Sequence, residues 1–332
     1  MIEVDFGRPP THKEKLKFQE RVSRLDRQDQ AIRIERMYKS MPGELPLTGL
    51  AVRTGFSYRD QSTGVEGSDR SAPPREVRPP ATRLMSPRGA ALRLALTLLA
   101  VVQSTRKPGA KARIAELGIE VGGDSRRPGW SDFISADATD SNRGGVFLTA
   151  RDKRARSVRS ALLALADAGL VSIPGAPGER NRFEDFIVLN EEGVAAVGEH
   201  EEYRVPTRSD ATFTMPHGFV ANGWIHVLAD TEIAVLLMVA CRKGGWPENG
   251  LLVMPPDVRL QQYGIHRDGF SSARKTLEWF GLLRVEEIGR YGDGRAERGE
   301  LRIHRLGLAL EGFEQPAATE VVRALTEQIG RA

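Results

Sequence analysis

One helical phrase occurs twice in this sequence, and the repeat restricts the possible fold more than any other feature. Every residue of the second copy is numbered 112 higher than its counterpart, as Gly281 is relative to Gly169. The matched pairs are Val158 and Phe270, Ser160 and Ser272, Ala161 and Ala273, Leu165 and Leu277, Gly169 and Gly281, and Leu170 and Leu282. Six matches without a gap indicate an internal structural repeat.

The first copy lies in residues 151–182 and predicts an amphipathic helix with a basic start. Its apolar residues recur at steps of three and four and so share one face: Val158, Ala161, Leu162, Leu165 and Ala168. Gly169 stands where a C-terminal capping glycine belongs. A short strand is expected to begin at Leu170, and a returning strand fits residues 183–189 after a Gly/Pro turn.

The second copy predicts the same parts in the same order. Residues 231–242 form an apolar first helix, and a second helix ends at Gly264. The repeated helix is expected from Arg267 to Phe280, followed by a strand at 282–288 and a turn at 289–299. Two helices joined by a tight glycine turn, the second with a basic N-terminal half, form the helix-turn-helix pattern. The strand–turn–strand unit that follows supplies a wing.

The predicted fold class is therefore mainly α with small β-wings (α+β), with two winged helix-turn-helix domains in tandem. A long helical or disordered arm precedes them: a charged N-terminal helix in 1–40 and a Pro/Gly/Arg-rich linker or mobile arm in 41–86. The first domain is assigned to 87–200, with an insertion at about 120–149, and the second to 205–332. The alternative is two small α+β domains that contact protein, because winged helices also serve as protein–protein modules.

Three local predictions bear on this architecture. The charged stretch 11–39 has a thin apolar stripe at helical steps, so it is expected either to act as a dimerisation or DNA-contacting arm or to pack back on its own domain. Residues 110–118 are the candidate second helix of the first domain. Asp230 is the expected N-cap of the helix at 231–242.

Composition suits a polyanionic partner without requiring one. The 332 residues include 48 Lys and Arg against 44 Asp and Glu, a formal net charge of +4, and the isoelectric point is about 9.3. The single cysteine, Cys241, cannot form an internal disulfide, which favours a reducing cytoplasm. The N-terminus has no signal-peptide pattern, and the apolar run 94–102 is too short to cross a membrane.

The candidate DNA contacts lie at the starts of the two repeated helices and on the wings. In the first helix they are Arg154, Arg156, Ser157, Arg159 and Ser160. In the second helix they are His266, Arg267, Ser271, Ser272 and Lys275, and on the wings Arg180, Arg182, Arg290, Arg295 and Arg298. Arginine pairs bidentately with guanine in the major groove, whereas wing residues meet phosphates or the minor groove.

Enzymatic motifs are missing from the sequence. It has no phosphate-binding Walker loop, no His-Glu-x-x-His and no Cys/His spacing for a metal site. The adjacent Glu286 and Glu287 would face opposite ways on a strand, which is poor geometry for paired carboxylates. We therefore expect no catalytic residues, no metal and no cofactor.

Tandem winged helices without an enzymatic motif resemble the replication initiator (Rep) proteins of bacterial plasmids. The resemblance covers about residues 87–329 and rests on the repeated phrases at 158–170 and 270–282. It implies sequence-specific binding of double-stranded DNA at origin repeats by a bacterial cytoplasmic protein associated with nucleoid or plasmid. Host replication proteins, or a second copy through the N-terminal helix, are further partners that it allows. A transcriptional regulator of a mobile element or phage, and a protein-contact module, remain alternatives.

Overall fold

The computed structural model is a mixed α+β fold with small antiparallel sheets. It describes residues 9–26, 32, 49–61, 71–86, 89–124, 126–134, 138, 140–143, 146–179, 181–193, 201–288 and 303–331. Its helices are α1 (His12–Asp26), α2 (Thr54–Ser57), α3 (Pro80–Arg83), α4 (Ala91–Thr105), α5 (Trp130–Phe133), α6 (Ala150–Asp167), α7 (His217–Ala221), α8 (Trp224–Val227), α9 (Asp230–Cys241), α10 (Pro256–Gln261), α11 (Arg267–Trp279), α12 (Leu310–Phe313) and α13 (Ala317–Gly330).

The strands are short and pair in four separate antiparallel sheets within the described part of the chain. They are β1 (Leu50–Arg53), β2 (Ser141–Arg143), β3 (Val146–Leu148), β4 (Val171–Ser172), β5 (Ile187–Val188), β6 (Thr212–Met215), β7 (Trp246–Glu248), β8 (Leu251–Val253), β9 (Leu283–Ile288) and β10 (Ile303–Leu308). Three sheets are pairs: β1 with β6, β2 with β3, and β4 with β5. The fourth has the order β7-β8-β10-β9.

The two copies of the repeat, α6 and α11, end in the same backbone geometry, as the sequence predicted. Gly169 and Gly281 adopt left-handed φ angles of 72° and 70°, which glycine reaches without steric cost. The next residue closes each helix in the same way, because Leu170 N–H donates to Leu165 O and Leu282 N–H to Leu277 O, both at 2.9 Å. The predicted buried face of α6 is confirmed, and its counterparts on α11 are buried as well.

The C-terminal copy follows the order helix, strand, strand, helix, helix, strand, strand. The apolar helix α9 leads through the hairpin of β7 and β8 to α10 and α11, and β9 and β10 return along the sheet. Asp230 is not the N-cap that the sequence predicted, since it is the first residue of α9 itself. The N-cap residue is Ala229, and its backbone N–H donates to the carboxylate of Glu232 at 2.7 Å.

The first copy departs from this order ahead of its repeated helix. A helix was predicted over 110–118, but only a single 3-10 turn, Ile114–Leu117, forms there. Arg113 and Gly118, which flank the turn, both have positive φ angles, so the backbone cannot continue as an α-helix on either side. Within the insertion at 120–149, α5 packs against α6 and buries Trp130 and Phe133.

The connector between the two copies belongs to the folded core. Tyr203 N–H donates to Val188 O at 2.8 Å, and Ala112 N–H donates to Tyr203 O at 2.9 Å. An extended stretch around Tyr203 therefore lies between β5 and the chain near Lys111. In the C-terminal copy, β8 instead pairs directly with β10. A single cluster of buried apolar side chains runs through both copies.

The stretch 41–86 was predicted to be a linker or mobile arm, and the described residues 49–61 and 71–86 differ from that prediction. Strand β1 pairs with β6, so the chain ahead of the first copy is joined to the chain ahead of the second. The apolar side chains of this stretch are few, but Leu50, Val52, Phe56 and Leu84 are all buried. The burial of these side chains offsets the entropy lost when the segment is ordered.

Helix α1 packs back on the molecule, which is one of the two outcomes that its sequence allowed. It lies along α13, and the Phe18 ring meets the Trp279 ring edge-on, with their centroids 5.9 Å apart. Arg21 reaches the buried carboxylate of Glu232 with an N–O distance of 2.8 Å. Apart from Ile32, residues 27–40 lie outside the part of the chain that the structure describes.

Substitution of the matched leucines tests whether the two copies contribute equally to stability. Leu165 and Leu277 both have 0% of their surface exposed, so either Leu→Ala change should lower the free energy of unfolding by about 2–5 kcal/mol. Leu163 lies on the same helix as Leu165 but is 44% exposed, and Leu163→Ala should change it by less than about 0.5 kcal/mol. Denaturant melts in which only one buried leucine is costly would contradict the equivalence.

Candidate nucleic-acid interface

The N-terminal half of α6 presents two arginines to solvent. Thr149 caps the helix, since its Oγ1 accepts the N–H of Asp152 at 3.1 Å. From this fixed start, Arg156, Arg159 and Ser160 point outward and are exposed, as predicted. The pKa of Asp152 is lowered, first by hydrogen bonds from Thr149 and further by the charges of Arg156 and Arg159. The positive charges of Arg156 and Arg159 therefore outnumber the negative charge of Asp152 at the start of this helix.

Arg154 and Ser157 are less accessible than the sequence predicted. The side chain of Arg154 is partly buried, and this burial is the main reason why its pKa is lowered. Asp132 and Asp140, from the insertion, act on it in the opposite direction. Ser157 Oγ donates to Lys153 O at 3.2 Å. The insertion therefore removes Arg154 from the exposed face, because it brings Asp132 of α5 and Asp140, which precedes β2, close to α6.

On α11 the exposed candidates are Arg267 and Ser272, whereas His266, Ser271 and Lys275 are partly buried. The Nδ1 atom of His266 is buried and has no hydrogen-bond partner among the described residues. Arg274, which adjoins these positions in sequence, is 6% exposed and belongs to the interior. The second helix therefore offers fewer free cationic groups than the first.

Of the five wing arginines, the structure describes Arg182. Its Nε donates to Gly175 O at 3.1 Å, and its guanidinium carbon lies 5.3 Å from the centre of the Phe183 ring. These contacts brace the turn between β4 and β5, a structural role that sequence reasoning did not assign to it. Arg180, Arg290, Arg295 and Arg298 lie outside the described residues.

Sequence reasoning missed Phe147, which is 62% exposed. It belongs to the hairpin of β2 and β3, which immediately precedes α6. Asp140 ties this hairpin to the helix, since its Oδ1 accepts the N–H of Ala150 at 2.6 Å. An exposed aromatic beside a basic helix start can stack on a base or wedge between base steps. The available signal was an aromatic residue two positions after Gly145 in a polar insertion.

Two classes of site find no support in the described residues. They contain no group of three or more His, Cys, Asp or Glu side chains that could hold a metal ion. None of their helices combines the length and the apolar character needed to cross a bilayer. The cavity between α4, α6 and β5 is lined mainly by apolar core side chains such as Leu98 and Leu165, and it has room for about one water molecule.

Comparison of the chain with models of protein families, with curated proteins and with solved structures finds no match. Functional inference therefore rests on the chemistry of the residues described above. Exposed guanidinium groups at the start of a capped helix can donate two parallel hydrogen bonds to a base edge or to a phosphate.

Proposed function

We propose that this protein binds double-stranded DNA through the starts of α6 and α11, each acting as the recognition helix of a winged-helix unit. The element order of the C-terminal copy supports this, since after α9 and the additional strand β7 the elements β8, α10, α11, β9 and β10 follow in the order of a winged helix. Within the sheet β7-β8-β10-β9, the strands β8, β10 and β9 also have the order of that fold. The matched C-terminal caps of α6 and α11 extend the argument to the first copy.

The observation that carries the proposal is the exposed pair Arg156 and Arg159. Neither forms a salt bridge with any carboxylate of the described residues, and both project from a helix whose start is fixed by its cap. Arg113, by contrast, is paired with the carboxylate of Glu116. Unpaired arginines at one turn's spacing suit a row of base edges or phosphates in the major groove.

Within this class, the resemblance to plasmid replication initiators gives the finer proposal, a protein that binds repeated sites at an origin. A transcriptional regulator would use the same interface on DNA. The two are separated by the fate of a plasmid that carries only this gene and its flanking DNA. Autonomous replication supports the initiator, whereas repression of the promoter without replication supports the regulator.

The test of DNA binding uses the full-length chain, because both copies share one core. A duplex from the region upstream of the gene is titrated by fluorescence anisotropy beside a scrambled duplex of equal composition. Arg156→Ala/Arg159→Ala should weaken binding to the first duplex by roughly 5- to 150-fold for each arginine that contacts a base. The discrimination between the two duplexes should fall as well.

Arg113→Ala is the matched control, since it removes an exposed arginine that is already paired with Glu116. Its affinity should stay within about twofold of the unaltered protein, because a paired surface charge contributes little. If the unaltered protein binds neither duplex at low salt, the DNA-binding proposal is overturned and the protein-contact module is favoured. If the double variant and the unaltered chain discriminate equally between the two duplexes, α6 does not read the DNA sequence.

A further inference from the structure

The N-terminal segment packs closely on the turn that joins α10 to α11. Thr82 Oγ1 donates to Tyr263 O at 2.8 Å, and the backbone N–H of Arg59 donates to Gln262 O at 3.1 Å. At Gly264, whose φ is +70°, an added Cβ would lie only 3.0 Å from the Cγ of Arg78. Two parts of the segment, near Arg59 and near Thr82, therefore meet at the start of the second candidate recognition helix.

Four arginines of this segment have no acidic salt-bridge partner among the residues that the structure describes. We name Arg59, Arg75, Arg78 and Arg83 the arginine cluster; none of them forms a salt bridge with a carboxylate of the described residues. Their known side-chain bonds go to backbone carbonyls instead. The Nε of Arg75 donates to Arg83 O and that of Arg78 to Pro73 O, both at 2.6 Å, and the Nη2 of Arg83 donates to Glu76 O at 2.8 Å. A carbonyl fixes a guanidinium but does not cancel its charge.

The members of the cluster lie near enough to repel one another. Burial lowers the pKa of Arg59, and the charge of Arg83 lowers it further. Burial likewise lowers the pKa of Arg78, with a further contribution from Arg75 that Glu76 partly opposes. Holding like charges together costs free energy in the isolated protein, and a bound anion would offset that cost.

Elsewhere the chain pairs arginines that serve a structural purpose. Arg53, six residues ahead of Arg59, bonds both Glu191 and Asp210, and Arg21 bonds Glu232. The arginine cluster differs because carbonyls orient the guanidinium groups of Arg75, Arg78 and Arg83, while no carboxylate of the described residues forms a salt bridge with any of the four. This is the arrangement of a preformed site for an oxyanion, and the planar guanidinium fork matches phosphate in particular.

From this geometry we infer that the arginine cluster is a phosphate-binding site, and that its ligand is the backbone of the nucleic acid bound by α11. The inference rests on the proposed function. The turn under the cluster leads within two residues from Gly264 to His266 and then to the exposed Arg267, so one duplex can meet both. Phosphate contacts of this kind fix the position of the helix without reading sequence.

The experiment measures the salt dependence of binding with the full-length chain and the two duplexes used above. Arg59→Gln/Arg75→Gln removes two charges at the cost of one known side-chain bond, that of Arg75 to Arg83 O. If each arginine meets one phosphate, the slope of log affinity against log salt should fall by about 1.8. Affinity for both duplexes should fall by the same factor, so discrimination should be unchanged.

Two further variants control for charge and for folding. Arg113→Gln/Arg323→Gln also removes two positive charges, but Arg113 is paired with Glu116, and Arg323 with Glu320 and Glu327; the slope should therefore stay near that of the unaltered protein. Arg59→Lys/Arg75→Lys should keep most of the slope. Arg75→Gln alone, with an expected fall of about 0.9, replaces the double variant if the latter does not fold.

The outcomes separate this inference from the proposed function. If the unaltered protein binds DNA through Arg156 and Arg159 but the cluster variant keeps the full slope, the phosphate site is wrong and the proposed function stands. A cluster variant that loses discrimination, rather than affinity for both duplexes, would also overturn the assignment to phosphate. If the unaltered protein binds no duplex at any salt concentration, both are overturned.

Discussion

Replacing Arg21 by alanine should lower the free energy of unfolding by about 3–5 kcal/mol, because it leaves a buried carboxylate without its counter-charge. Both guanidinium nitrogens Nη1 and Nη2 bond the Glu232 carboxylate at 2.8 Å, and Nη2 also donates to Val227 O. The hydroxyl of Thr276 and the N–H of Ala229 also donate to Glu232, each at 2.7 Å. Arg21 is the cation among these partners.

The loss caused by Arg21→Ala should depend on pH in a definite direction. In the intact protein burial would raise the pKa of Glu232, but Arg21 and the hydrogen bonds outweigh burial and hold it below its usual value. Without Arg21, burial dominates and the pKa of folded Glu232 rises above that of the unfolded chain. Folding then favours the protonated form, so the deficit should be largest near pH 8 and should shrink toward about pH 5.

Denaturant melts of the variant and the parent at both pH values check this prediction. Arg323→Ala is the control, since Arg323 is exposed and paired with Glu320 on the surface of α13, and its effect should stay within about 0.5 kcal/mol at either pH. A deficit for Arg21→Ala below about 1 kcal/mol, or one that does not change with pH, would mean that α1 contributes only apolar packing. Either result would show that the pair of Arg21 and Glu232 does not hold α1 on the molecule.

The repeated helices could be predicted from sequence because the information that specifies them is local. The three- and four-residue spacing around Leu165 defines a buried face, and the glycine four residues later ends the helix. The same holds for Leu277 and Gly281. The prolines before α10 likewise mark its start, because proline is tolerated in the first turn.

The placement of the N-terminal segment and of the connector could not be predicted, since it depends on partners far along the chain. Strand β1 pairs with β6, whose residues are numbered more than 150 positions higher, and nothing in the Pro- and Arg-rich composition signals that pairing. The sequence of the connector is acidic, with Glu199, Glu201 and Glu202, yet Tyr203 beside them is fully buried. Local propensity gives only a weak preference where tertiary contacts decide.

The exposure of the candidate DNA contacts was predicted in part for the same reason. Helical periodicity correctly assigned Arg156 and Arg159 to the exposed face of α6. It assigned Arg154 there too, because the approach of Asp132 from the insertion has no signature in the sequence of α6 itself. Whether an arginine of the N-terminal segment meets a carboxylate depends on how the segment folds. Residue spacing alone therefore could not distinguish the arginine cluster from Arg53, which pairs with Glu191.

The second large effect is expected at Arg53, where three parts of the chain meet. Arg53 ends β1, and its guanidinium bonds Glu191, just after β5, at 2.8 Å and Asp210, just before β6, at 3.1 Å. Glu191 is 3% exposed, whereas Asp210 is accessible enough for water to replace the arginine. Arg53→Met should therefore cost about 3–5 kcal/mol, nearly all of it through the stranded carboxylate of Glu191.

A second substitution should recover much of this loss, and the choice of residue follows from the backbone. Glu191 Oε1 also accepts the N–H of Arg53 at 3.1 Å, so a replacement must keep an acceptor while it removes the charge. Glutamine does both, and Arg53→Met/Glu191→Gln should be more stable than Arg53→Met by about 2 kcal/mol or more. Glu191→Gln alone should be destabilised, because Arg53 then keeps only Asp210 as a counter-charge.

Thermal or denaturant unfolding of the four proteins in this cycle gives the coupling free energy directly. Arg113→Met, which breaks only the surface pair with Glu116, should change stability by less than about 0.5 kcal/mol. If Arg53→Met/Glu191→Gln is as unstable as Arg53→Met, the stranded charge is not the cause. The loss would then come from the bond of Arg53 to Arg204 O and from its packing over the Tyr203 ring, which both methionine variants lack.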